Sequence, residues 1–121
     1  MKKILYLEDE PDEILMVKTR VESQGYSLVS AADGEEGLKK VREEKPDLIL
    51  LDIIMPRMNG HEFCCHLKMD PATRNIPVII ITASGAKDLE KKCQKLGIQE
   101  IVHKPYESSY LLERIAFFLG E

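Results

Sequence analysis

The stretch "DLILLD", residues 47–52, followed by "IIMPRMNG", residues 53–60, decides how this chain is read. An unbroken apolar run with no polar alternation suits a strand covered on both faces, as in a parallel sheet. The run ends on a carboxylate, Asp52, and the chain turns at once through a Met-Pro pair. A charge at the end of a buried strand is costly unless another group meets it there. The sequence therefore has to supply a partner for Asp52.

Working outward, "PVIIIT" (77–82) is a second continuous apolar strand, and "KILYL" (3–7), "YSLVSA" (26–31) and "IQEIVHK" (98–104) read as three more. The strand "YSLVSA" is more polar than a buried strand and so is expected at an edge. Helical patterns fill the intervals. "PDEILMVKTRVESQ" (11–24) opens on Pro11 with two acids and stops at Gly25. "DGEEGLKKVREE" (33–44) carries Leu38 and Val41 on one face and ends before Pro46. "GHEFCCHLKM" (60–69), "AKDLEKKCQKL" (86–96) and "ESSYLLERIAFFLG" (107–120) complete the set, the last with Leu111, Ile115 and Phe118 on one stripe. Strand and helix alternate five times, which predicts an α/β, doubly wound, five-stranded parallel sheet in a single domain spanning 1–121.

The 44% hydrophobic and 31% charged content is that of a folded soluble chain and argues against disorder. A net charge of −4 argues against direct nucleic-acid binding, which wants a basic stripe. No run approaches the roughly 18 apolar residues of a membrane span, so no membrane insertion is expected. The opening "ILYL" is shorter than the roughly 7–15 residues of a signal-peptide core. Three cysteines, Cys64, Cys65 and Cys93, have no scaffold spacing and suit a reducing cytoplasm.

Ligands of open α/β sheets sit outside the carboxyl ends of the strands. That rule picks out Glu8, Asp9 and Glu10 after the first strand, Asp52 after the third, Thr82 and Ser84 after the fourth, and Lys104 after the fifth. Glu8, Asp9 and Asp52 are expected to converge, and like charges at short range disfavour one another's ionisation. A divalent cation resolves that conflict, and oxygen-only ligands suit Mg²⁺. A metal-held carboxylate beside a hydroxyl and an ammonium is a phosphoryl-handling set. Asp52 would attack phosphorus, with Mg²⁺, Lys104 and the Thr82 hydroxyl meeting the oxygens of the transferred group.

At this point "ILYLEDEP", "DIIMPRMNG", "IITAS" and "VHKP" resemble, in order, the motifs of the receiver domain of two-component response regulators. The offsets agree as well: Thr82 lies 30 after Asp52, and Lys104 lies 22 after Thr82. The resemblance covers essentially the whole chain. It implies the flavodoxin-like strand order 2-1-3-4-5 and a cis Lys104–Pro105 bond. It further implies that Asp52 takes its phosphoryl group from a sensor histidine kinase or a phosphotransfer protein, and that a downstream protein target reads the result. Asp9 and Asp52 would bind Mg²⁺ directly with the backbone carbonyl of Ile54, and Glu8 would act through water. Such a module turns over no metabolite and is not an enzyme in the ordinary sense; the chain is expected to stand alone, in the cytoplasm.

Departures from the family pattern are informative. Glu8 stands where Asp is usual, and Ile101, three before Lys104, stands where many receivers carry Tyr or Phe. Tyr106 is not expected to replace that ring. Ile54 has no polar group to orient water, which implies slow loss of the phosphoryl group. The rival readings are a pseudo-receiver that binds partners constitutively and an aspartyl-phosphate phosphatase. The latter wants a second Asp where Ile54 stands and its nucleophile on the first strand. "HEFCCH" could suggest a metal site, but Phe63 and Leu67 mark a core stripe that explains this helix without one, with Cys64 on the core side. An outward aromatic in "AFFLG" would suggest a homodimer or docking contact through the last strand and helices.

Overall fold

The computed structural model describes residues 1–53, 58–83, 87–98 and 100–121. Strands β1 (Lys3–Leu7), β2 (Ser27–Ala31), β3 (Leu48–Leu51), β4 (Val78–Thr82) and β5 (Glu100–His103) alternate with helices α1 (Pro11–Ser23), α2 (Gly34–Glu44), α3 (Gly60–Met69), α4 (Lys87–Lys95) and α5 (Ser108–Leu119). The strands pair in parallel in the order β2-β1-β3-β4-β5, the order the resemblance implies, with β2 at an edge.

The alternation of side chains across a strand divides the core in two. Leu5, Leu7, Ile49, Leu51 and Ile80 pack with Phe63, Cys64 and Leu67 of α3, Val41 of α2 and Cys93 of α4. Ile4, Tyr6, Leu48, Leu50, Ile79, Ile81 and Val102 pack with Val17 and Val21 of α1 and with Leu111, Ile115 and Leu119 of α5. Phe118 is only partly buried and Leu119 is the deeper of the two. Continuous apolar strands are thus explained by helices on both faces.

Helix ends shorten two strands relative to the sequence expectation. Gly25 and Gly97 adopt φ of +89° and +94°, conformations that glycine enters without a Cβ penalty. The next residue then donates its N–H back into the helix: Tyr26 to the carbonyl of Val21, and Ile98 to that of Cys93. Those donors are spent on caps, so β2 starts at Ser27 and β5 at Glu100. Asp33, expected inside α2, is its N-cap and accepts from the Glu36 N–H at 2.9 Å.

The "HEFCCH" segment behaves as a core stripe. Cys64 is fully buried in the same core cluster as Cys93, the one fully buried residue of α4. The neighbouring Cys93 thiol, then burial, push the Cys64 thiol above the usual thiol range. Cys65 is only half-buried, its sulfur 3.5 Å from His61 Nε2. Thiolates react and buried thiols do not. Iodoacetamide should therefore alkylate one thiol in the folded protein, Cys65, and all three after unfolding. Prompt labelling of Cys64 or Cys93 under native conditions would contradict this packing.

Candidate functional site

Side-chain parity explains what gathers at the carboxyl edge of the sheet. Glu8 continues the series Ile4, Tyr6; Asp52 continues Leu48, Leu50; Lys104 continues Val102. All three series face α1 and α5, and register places β1 beside β3. Lys104 is tied in through its backbone, whose N–H donates to the Thr82 carbonyl at 2.9 Å, and Asp52 through its N–H to the Leu7 carbonyl at 3.1 Å. The Lys104–Pro105 bond is cis, as the resemblance implies.

Lys104 Nζ lies 3.1 Å from Glu8 Oε1, 3.7 Å from an Asp52 oxygen and 4.0 Å from a Glu13 oxygen. Glu8 is almost completely buried, at 3% exposure, whereas Lys104 and Asp52 retain partial solvent access. Partial burial opposes the charge on Lys104. The hydrogen bond and charge of Glu8, with Asp52 and Glu13 adding, outweigh it and raise the lysine pKa above its ordinary value. A protonated lysine is therefore what meets Asp52.

Glu8 has both oxygens engaged. Oε1 accepts from Lys104 and from the Tyr6 hydroxyl at 3.3 Å; Oε2 accepts from the N–H groups of Asp9 at 3.1 Å and Glu10 at 3.4 Å. Asp9 is exposed at the rim. Thr82 is fully buried, follows the opposite parity with Val78 and Ile80, and donates its hydroxyl to the Ala83 carbonyl at 3.3 Å. The Ile54 carbonyl and Ser84 lie outside the described residues. Among the described residues, no three acidic, histidine or cysteine side chains form a ready cation cage. The grouping is around the lysine instead.

The donor set still fits Mg²⁺. That ion keeps several waters and commonly takes only one or two carboxylates, so Asp52 with the exposed Asp9 suffices in kind. The charges agree: among the described residues, Glu8, Asp52 and Glu13 lie around Lys104. Bound there, Mg²⁺ would supply positive charge to phosphoryl oxygens.

Two participants escaped the sequence reading. Glu13 reads as a helix-start acid, yet the first turn of α1 overhangs the strand ends and turns it toward Lys104. Tyr6 reads as core, although its spacing of two from Glu8 already put both on one face. Ile101 and Tyr106 pack on opposite faces of the sheet, so Tyr106 does not occupy the place of the missing aromatic. The Tyr106 hydroxyl is buried without a hydrogen-bond partner among the described residues. Burial first, then the charge of Glu13, raise its pKa.

Comparison with known proteins agrees with this geometry. A family profile described as the response regulator receiver domain matches residues 4–116. Hybrid signal transduction histidine kinase D of Dictyostelium discoideum is 37% identical over 93% of this chain, which spans 7% of that protein. The polar-differentiation response regulator DivK of Brucella anthropi is 33% identical over 99% of this chain and 98% of its own length. The crystal structure of the receiver domain of sensor histidine kinase PA1611 from Pseudomonas aeruginosa PAO1, with a magnesium ion coordinated in its active site cleft, is similar with a TM-score of 0.88. It covers 99% of this chain and 98% of that one at 23% identity, a likeness of fold.

Proposed function

Because the chain belongs to the response regulator receiver domain family, we propose that residues 1–121 act as one receiver domain whose Asp52 is the phosphoacceptor. The observation that carries this reading is the meeting of Lys104 with Glu8 and Asp52 at the carboxyl edge of the sheet. Asp52 attacks the phosphorus of a phosphohistidine on a sensor histidine kinase or phosphotransfer protein, and the imidazole leaves. Lys104 follows the new negative charge, and the Thr82 hydroxyl turns to one of its oxygens. Asp52, Asp9 and the Ile54 carbonyl would hold Mg²⁺, with Glu8 acting through water, and the ion would supply positive charge to the phosphoryl oxygens. The chemistry is confined to gaining and losing this group; no metabolite is turned over.

The signal is read by a downstream protein. Among the described residues no helix is long and apolar enough to cross a membrane, and cytoplasmic residence suits the three free thiols. Phe117 is 64% exposed, with the Arg114 guanidinium 4.6 Å above its ring, an outward aromatic on which a second copy or a target could pack through the last strand and helices.

The test is intact-protein mass after incubation with acetyl phosphate, with and without Mg²⁺, beside Asp52→Asn. One phosphoryl adduct is expected, lost with either change. No adduct under any condition would overturn the reading and leave a pseudo-receiver that binds partners constitutively.

A further inference from the structure

Glutamate at position 8 is one methylene longer than aspartate and has one more torsion to fix, and a buried carboxylate is costly unless each oxygen is met. Tyr6 answers both needs. Its ring is fully buried between the sheet and α1 and α5, so it cannot move without disturbing the core. Its hydroxyl reaches Glu8 Oε1 at 3.3 Å, the same oxygen that holds Lys104 at 3.1 Å, while two backbone N–H groups fix Oε2. A tyrosine buried this deeply needs a partner for its hydroxyl, and Glu8 is that partner.

We propose that Tyr6 is a positioning residue for the phosphoryl site: its hydroxyl pins the long Glu8 side chain at the sheet edge, so that Glu8 shares Lys104 with Asp52 instead of swinging away with it. The inference rests on the function proposed above for Asp52. Tyrosine and glutamate act as a matched pair. A shorter carboxylate at position 8 falls back from the phenol and does without it. A phenylalanine at position 6 keeps the core volume and leaves Glu8 with one donor fewer. Groups that orient the ligands of a site from behind commonly change affinity or activity by about tenfold or more when removed.

The test is a double-mutant cycle of Tyr6→Phe and Glu8→Asp, read in three ways on the full chain. Mg²⁺ affinity is followed from backbone amide shifts of the unphosphorylated protein, adduct formation from acetyl phosphate by intact mass, and folding by thermal melting. Without metal, the amide resonances of Asp9 and Glu10, which donate to Glu8, should move in Tyr6→Phe. With metal, Tyr6→Phe should weaken Mg²⁺ binding by about tenfold and slow adduct formation in the Glu8 background. In the Glu8→Asp background it should change both less than about twofold. Equal losses in both backgrounds would make Tyr6 merely structural, and no loss beside Glu8 would remove it from the site; either overturns the proposal. Absence of an adduct in the parent protein would instead strike the phosphoacceptor reading, while the Mg²⁺ and amide arms would still judge Tyr6.

Discussion

Lys104→Ala should lower stability by about 2 to 3 kcal/mol, at or just below the roughly 3–5 kcal/mol lost when a fully buried ion pair is broken from one side. Glu8 would remain buried at the sheet edge with the lysine gone, its donors among the described residues being the Tyr6 hydroxyl and two backbone N–H groups. Lys104 is 22% exposed, which keeps the loss from the top of the range. At about 4 °C per kcal/mol for a domain of this size, the melting midpoint should fall by about 10 °C. The raised lysine pKa fixes the sign with pH. Its stabilisation is complete below the unfolded value of 10.5 and fades only as pH rises through the higher folded value, so a melt at neutral pH reads all of it. Mg²⁺ should restore more stability to the variant than to the parent, since Glu8, Asp52 and Glu13 would have lost the lysine charge they share. A ligand at a hundred times its dissociation constant contributes about 2.7 kcal/mol. A variant that melts with its parent in metal-free buffer would show that the lysine does not hold this cluster together.

Why the lysine was legible and parts of its surroundings were not follows from the kind of signal each leaves. Lys104 and Asp52 end strands, and strand ends can be read from apolar runs such as "LILL" and "VIIIT". The helix stripes of Val17 and Val21, and of Leu111 and Ile115, repeat at helical spacing and fix which faces are covered. Glu13 has no such mark, because acids are ordinary in the first turn of a helix whether or not they face a site. Its place 4.0 Å from Lys104 depends on where the first turn of α1 sits beside the last strand, which the sequence around Glu13 does not mark. The lost residues of β2 and β5 were legible in principle: a glycine that closes a helix takes the following N–H with it, as Gly25 and Gly97 do. The expected three-carboxylate convergence overlooked competition. Among the described residues Lys104 lies 3.1 Å from a Glu8 oxygen and 3.7 Å from an Asp52 oxygen, a positive charge already set between those carboxylates.

Gly60→Ala should be as damaging as removing the lysine, through geometry and not charge. Gly60 opens α3, is buried, and donates its N–H to the Ile53 carbonyl at 2.8 Å. A Cβ there would stand 2.6 Å from Ile53 Cα and 2.8 Å from Ile53 O. Both are backbone atoms, so no side-chain rotation relieves the clash, and the β3–α3 connection has to open. Overpacking of this kind costs about 3 kcal/mol, or about 12 °C of melting midpoint. Ile53 directly follows Asp52, so the displacement reaches the acceptor carboxylate. Phosphorylation by acetyl phosphate should slow by tenfold or more, since misplacement by about 1 Å can cost about a hundredfold. Gly37→Ala is the informative control. Its Cβ would meet Leu7 Cδ2 at 2.5 Å and Phe63 Cε1 at 3.0 Å, the ends of side chains. A helix-interior alanine returns about 1 kcal/mol of propensity, so the net loss should be about 1 kcal/mol with the acceptor in place. Equal losses at the two positions would mean that the close approach of α3 to the backbone after Asp52 is not what fixes the site. A larger loss at Gly60, with slowed phosphorylation there alone, would place the requirement at that approach.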